Sequence, residues 1–372
     1  MLTGLVAAGS KALGGARFSL VNVMPGVLLV GVVLGAAWSG AYGGGPVTLD
    51  AVADHIGDPV QTILLVFGLF LAGVVIQPFQ LALVQFLEGY WGQGAVAGPV
   101  GAVAAELHRR RLHTAALRSG ARAAPPASSR SADVVRHVRA EQVAQRIGAR
   151  AIARRAQYPE DAERVMPTLL GNILRGAEDA AGSRYGLDAL TVYPRMYPSI
   201  SKPLQESMTR QLDAITLGAS MCVSFALILI ATAPLIVLRS DAWSLIPVAA
   251  LVLAVVSYRG ALRAAASHGA LFAAAFDLHR FDLIRALHYR LPETADEEWE
   301  LNTQLTEFLQ QRGQAADCGI SDQSYDHAIY KDITFPTPEQ ADPDPADEPS
   351  ADEPDQPDDE RSDESPPTSP GR

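Results

Sequence analysis

Five polar residues, Asn172, Arg175, Glu178, Asp188 and Arg195, lie close enough in the sequence to line one polar pocket. A carboxamide, two guanidiniums and two carboxylates can bind a polar solute or move a proton. Structural salt links account for the same residues equally well. His279 and His288, with Asp277 and Asp282, are the other group with ligand chemistry. The two histidines are nine residues apart and point to nearly opposite sides of a helix, so an amphipathic helix with solvated histidines is the plainer reading. Cys222 and Cys318 make no Cys-x-x-Cys pair and no disulfide framework. His-Glu-x-x-His, P-loop, Gly-x-Ser-x-Gly and EF-hand patterns do not occur, and no cofactor is expected.

The elements that must position these residues are dominated by four uncharged apolar blocks. Ser19–Ser39 and Val60–Leu87 come first; Ala214–Leu238 and Ala242–Tyr258 follow past the middle. A bilayer core of about 30 Å needs roughly 20 apolar residues as helix, so the blocks predict four transmembrane helices in two hairpins. Lys11 and Arg17 precede the first block as in a signal peptide. Its length exceeds the apolar core of such a peptide and favours an uncleaved span. Val60–Leu87 is too long to stand upright, and Pro78 predicts a bend within it. Gly31 and Gly35 form a G-x-x-x-G pair that could join two copies of the chain through the first span. Gln77, Gln80 and Gln85 are the candidate polar residues of the spans. Bonding across helices or a place at the boundary suits them better than ion selection.

Loop charge orients the spans. The Gly40–Pro59 connection has Asp50, Asp54 and Asp58 but no Lys or Arg, which predicts an outward face. The stretch between Glu88 and Asp213 is Arg-rich, so it and both termini belong in the cytoplasm of a cell-membrane protein. The expected organisation is a segment 1–18, a hairpin 19–91, an Arg-rich helical region 92–213, a hairpin 214–258, helices 259–313 and an acidic, Pro-rich, disordered tail 314–372. The formal charge of −11 is tail charge: residues 336–372 contain 13 Asp/Glu against two Arg, whereas the rest is neutral. Ten prolines there and almost no large apolar side chain leave too little surface to bury for folding.

Within the cytoplasmic region, Gly92–Gly101 reads as a loop, with helices at about 102–119 and 132–157. Val134, Val138, Val143 and Ile147 make a thin apolar stripe on the second. Residues 109–155 hold 12 Arg against Asp133 and Glu141. Arg109, Arg110, Arg111, Arg136, Arg139, Arg146, Arg150 and Arg154 are therefore candidate contacts for anionic lipid. A solvated face beneath the membrane needs no partner at all. Nucleic acid fits the charge but lacks aromatic interleaving, a zinc pattern or a helix-turn-helix. Pro167 predicts the start of a helix whose apolar face is Leu169, Leu170, Ile173 and Leu174, ended by Gly182. A turn-rich stretch follows to Pro198. Gly260–Phe276 carries Arg263 and His268, which argues against a fifth span and for a helix along or below the membrane. That helix should run over 261–291, and Pro292 should open a final one with Leu301, Leu305, Phe308 and Leu309 inward.

Leu170-Gly171-Asn172-Ile173-Leu174-Arg175, Arg184–Asp188, Tyr193-Pro194-Arg195, Glu88-Gly89-Tyr90-Trp91-Gly92 and Leu278-His279-Arg280-Phe281-Asp282 together carry a resemblance. Over about residues 60–310 the chain resembles uncharacterised multi-pass integral membrane proteins of bacteria. The resemblance implies a location and an architecture, and no activity. The residues themselves point to an all-α, membrane-anchored scaffold or regulatory protein. An oligomeric channel or transporter for small solutes is the alternative.

Overall fold

The structure, a computed structural model, describes residues 20–43, 47, 49–120, 122, 130–310, 320, 323 and 325. The N-terminal segment and the acidic tail lie outside the described residues. The fold is all-helical, 81% helix, with no strand among the described residues. Among the described residues, an isolated antiparallel bridge joins Tyr289 and Tyr325.

Among the described residues, three helical stretches are long and apolar enough to cross a membrane: Pro59–Glu88, Lys202–Thr232 and Ala242–Ala286. The shorter apolar α1 (Leu20–Trp38) precedes them. After a brief α2 (Leu49–Ile56), α3 (Pro59–Ile76) starts with Pro59 at its first position and the Asp58 side chain accepting from the Val60 N–H. Proline has no amide hydrogen to lose there and its φ is preset. Pro78 then breaks the helix, as the sequence predicts: one 3-10 turn, Gln77–Phe79, separates α3 from α4 (Gln80–Glu88). α1 packs on α3 at Gly73, where a Cβ would stand 2.1 Å from Val23 Cγ1. This is the close helix contact of the first hairpin. A Cβ on Gly31 would stand an ordinary 4.0 Å from Leu69 Cδ2, and one on Gly35 would meet nothing within 4 Å.

The second pair departs from the expected boundaries. α9 (Lys202–Thr232) has 31 residues and α11 (Leu245–Ala286) has 42, separated by the short α10 (Leu235–Leu238) and a turn. The expected break between an apolar span and a separate helix after Tyr258 does not exist, because α11 continues straight through Arg259 and Arg263. Its length of roughly 63 Å at 1.5 Å per residue is twice a bilayer core. Both helices therefore carry an apolar half and a polar-environment half on one rod.

The polar halves organise the rest, here called the polar body. α5 (Ala97–Ser119) and α6 (Ser131–Arg155) form an antiparallel pair. α5 begins five residues earlier than expected, because Pro99 is tolerated in a first turn. α7 (Leu169–Ala180) is capped by the Thr168 hydroxyl, which accepts from Gly171 N–H, and Pro167 sits outside the helix. The turn-rich stretch contains a helix, α8 (Ala189–Met196), capped by Asp188. α12 (Ala295–Leu309) is capped by Thr294 rather than opened by Pro292. The main core gathers Met208 of α9, Phe276, Leu283 and Ile284 of α11, Val192 and Met196 of α8, and Leu301 and Leu305 of α12. A second core sets Leu170 and Ile173 of α7 against Ile215 of α9, Ala264 and Ala265 of α11, and Val84 of α4.

Candidate functional site

α7 meets the end of α4 where the apolar helices give way to the polar body. Gly89 closes α4 at φ 100°, a backbone shape that favours glycine, and a Cβ there would press on Pro167. Across the junction Gly171 leaves no room either: a Cβ would lie 2.0 Å from the Glu88 carbonyl oxygen. Two sequence motifs far apart in the chain thus interlock backbone to backbone.

Asn172 is fully buried at this junction. Its Oδ1 accepts from the Met166 N–H at 2.8 Å, and its Nδ2 donates to the Met166 and Thr168 carbonyls at 2.9 and 2.6 Å. The Leu170 N–H donates to the Tyr258 hydroxyl at 3.3 Å, tying α7 to α11. Arg175 reaches the Tyr90 hydroxyl at 3.5 Å. Behind it Arg164 pairs with Asp179 at 2.7 Å. Burial pushes the Glu178 and Asp179 carboxyls up from their ordinary range, with Arg175 and Arg164 pulling them back.

Asn172, Arg175 and Glu178 therefore share α7, but Asp188 and Arg195 belong to α8. The Asp188 carboxylate accepts from the Thr191 N–H at 3.1 Å, and its own N–H donates to Thr306 Oγ1 at 3.2 Å. Arg195 donates to the Thr191 carbonyl at 2.7 Å from the surface. His279 lies 2.9 Å from Asp282 through Nδ1 and takes a 3.4 Å contact from the Ser201 N–H through Nε2. His288 lies just past the end of α11, after the C-cap Leu287, at φ 61°. No group of metal-ligating side chains occurs among the described residues. Gln77 and Gln80, half-buried, and the exposed Gln85 flank the Pro78 bend.

The arginines divide by environment. Arg109 donates to the Ala162 carbonyl at 2.9 Å, Arg110 pairs with Glu106 at 3.0 Å and Arg136 with Asp133. Arg111, Arg139, Arg146, Arg150 and Arg154 are exposed, with no ion pair among the described residues. On α6 the face against α5 is Ala144, Gly148 and Ala151, not the expected stripe: Val134, Val138, Val143 and Ile147 are all exposed. Small side chains let the two helices approach closely, and the larger ones are left outside.

Sequence reasoning missed two features. His108 and the Tyr158 hydroxyl meet at 2.9 Å, both buried, at the base of the α5–α6 pair. Burial depresses the His108 imidazole, and nearby Arg111 adds to this. Nothing local in the sequence connects residues 50 apart. Arg239, in the turn between α10 and α11, is the second. Its guanidinium donates to the Ala41, Gly40 and Gly43 carbonyls at 2.8, 2.9 and 2.7 Å and lies 3.8 Å from Asp241. It binds the end of the first apolar pair to the end of the second, and the Tyr42 hydroxyl adds a 3.1 Å bond to the Ala231 carbonyl.

What these observations define is an all-helical protein with three apolar helices compatible with a membrane location and a polar body built on the extensions of two of them. No known protein family, characterised protein or solved structure matches the chain.

Proposed function

We propose that the chain is a membrane-anchored scaffold or regulatory protein of the cell membrane, with α1, α3–α4, α9–α10 and the first half of α11 as four spans. The observation that carries this reading is the continuity of α9 and α11 from apolar to polar surroundings, which fixes the polar body rigidly on its anchor. The apolar halves expose large side chains, among them Ile63 at 68%, Phe67 at 61% and Ile230 at 69%. A patch of that kind suits lipid rather than water. The absence of Lys and Arg from 40–59 supports an outward face there, with both termini and the polar body in the cytoplasm. The junction residues Asn172, Arg175 and Glu178 then hold the body at the membrane rather than process a substrate.

Proteoliposomes containing the purified chain test this against a solute path. The scaffold reading expects ion and small-solute flux equal to that of empty liposomes. Reproducible flux that disappears in Gln77→Ala or Gln80→Ala overturns it in favour of a channel or transporter.

A further inference from the structure

We propose that α5 seats its outward face in the headgroup layer of an anionic bilayer, as an interfacial helix running directly on from the α4 span. Val96, Val100, Val103 and Leu107 follow at helical spacing on one face, and each is at least half exposed. The inward face, Ala105, His108 and Ala115, is a different one. Beyond Leu107 the outward face continues at the same spacing as Arg111 and Arg118, both exposed. One helix face thus changes from apolar to cationic along its length, the composition of helices that lie in the membrane surface.

Position selects lipid as the occupant. The segment between α4 and α5 contains Tyr90, exposed, and Trp91, whose indole N–H donates to the Phe86 carbonyl at 2.7 Å. Such residues mark the headgroup level. A Cβ on Gly101 would stand 3.8 Å from both the Trp91 ring and Pro167, so the first turns of α5 lie against this aromatic residue. The valine stripe therefore starts at the level where the apolar helix ends. Charge selects anionic lipid: Arg111 and Arg154 both lie near enough to act on the Tyr158 hydroxyl, which brings the exposed Arg154 at the end of α6 beside the arginines of α5. Arg109, held by the Ala162 carbonyl, is left out of the contact.

The inference rests on the membrane reading above, and depth measurement separates the two. Full-length protein carrying Cys222→Ser and Cys318→Ser receives one nitroxide at Val66→Cys, Val100→Cys, Val103→Cys or His113→Cys. Each is placed in nanodiscs of phosphatidylcholine with or without phosphatidylglycerol. Expected in the anionic discs is preferential collision with oxygen over a water-soluble nickel complex at 66, 100 and 103, and the reverse at 113. Water exposure at 100 and 103 with 66 in lipid overturns this inference alone; water exposure at 66 overturns the membrane reading. Exclusion of both reagents at 100 and 103 would mean a protein partner or a second copy, and overturns it too. Arg111→Gln with Arg118→Gln should move the 103 label toward water and abolish the difference between the two lipids. An unchanged depth removes the role given to anionic lipid.

Discussion

Asn172 shows how a residue with catalytic chemistry can be consumed by structure. Its side chain satisfies one N–H and two carbonyls in a fully buried turn. Asn172→Ala strands the Met166 N–H and carbonyl, while the Thr168 carbonyl keeps the backbone N–H of residue 172, and a buried unsatisfied group costs about 1–3 kcal/mol. We expect a clearly lowered unfolding temperature in detergent, and no rescue by Asn172→Asp, whose second oxygen would face two carbonyls instead of donating to them. An unfolding temperature like that of the native chain would free Asn172 for a chemical role. Arg239 makes the opposite kind of prediction. Arg239→Ala removes charge-assisted bonds to three carbonyls, worth about 1.5–3 kcal/mol for such a group. Arg239→Lys should recover only part of it, since an ammonium cannot reproduce the planar fork. Equal unfolding midpoints for the two variants would refute that geometry.

At the scale of elements, the α5–α6 pair has a built-in pH response. The folded His108 titrates below its ordinary value, so the native state disfavours the proton. Its contribution is complete above the unfolded value of about 6.5 and is lost as pH falls through the depressed folded one. Amide exchange in α5 and α6, corrected for intrinsic rate, should speed up on going from neutral to mildly acidic pH. His108→Gln should remove that trend; if it persists, His108 is not its source. The same elements show what was legible beforehand. The apolar stretches and the Pro78 bend follow from composition and a missing amide hydrogen, and both were readable. The course of α11 was not, because hydropathy reports where apolar surroundings end, whereas the helix ends only at Ala286. The α6 stripe misled for a related reason. Large apolar side chains attract attention, yet the close contact is made by Ala144, Gly148 and Ala151. Of the candidate site, Asn172, Arg175 and Glu178 fall on one helix, α7, while Asp188 and Arg195 fall at α8, which a turn-rich stretch concealed.

For the whole molecule, the proposed topology places Asp50 outside and Arg139 inside. With Cys222→Ser and Cys318→Ser, an impermeant maleimide should label Asp50→Cys in intact cells, and Arg139→Cys only after permeabilisation. The reverse pattern would invert the orientation and leave the fold untouched. The Arg239 latch then has a consequence for biogenesis. Its acceptors, Gly40, Ala41 and Gly43, are synthesised about 200 residues before the side chain that closes on them. On the proposed topology the first apolar pair waits with an open end while the chain from α5 to α10 is translated. The arrival of the last outward turn then adds the three Arg239 bonds to the Tyr42–Ala231 bond that already joins the two pairs. On that topology a faulty latch should appear as a protease-sensitive protein rather than as one inserted the wrong way round.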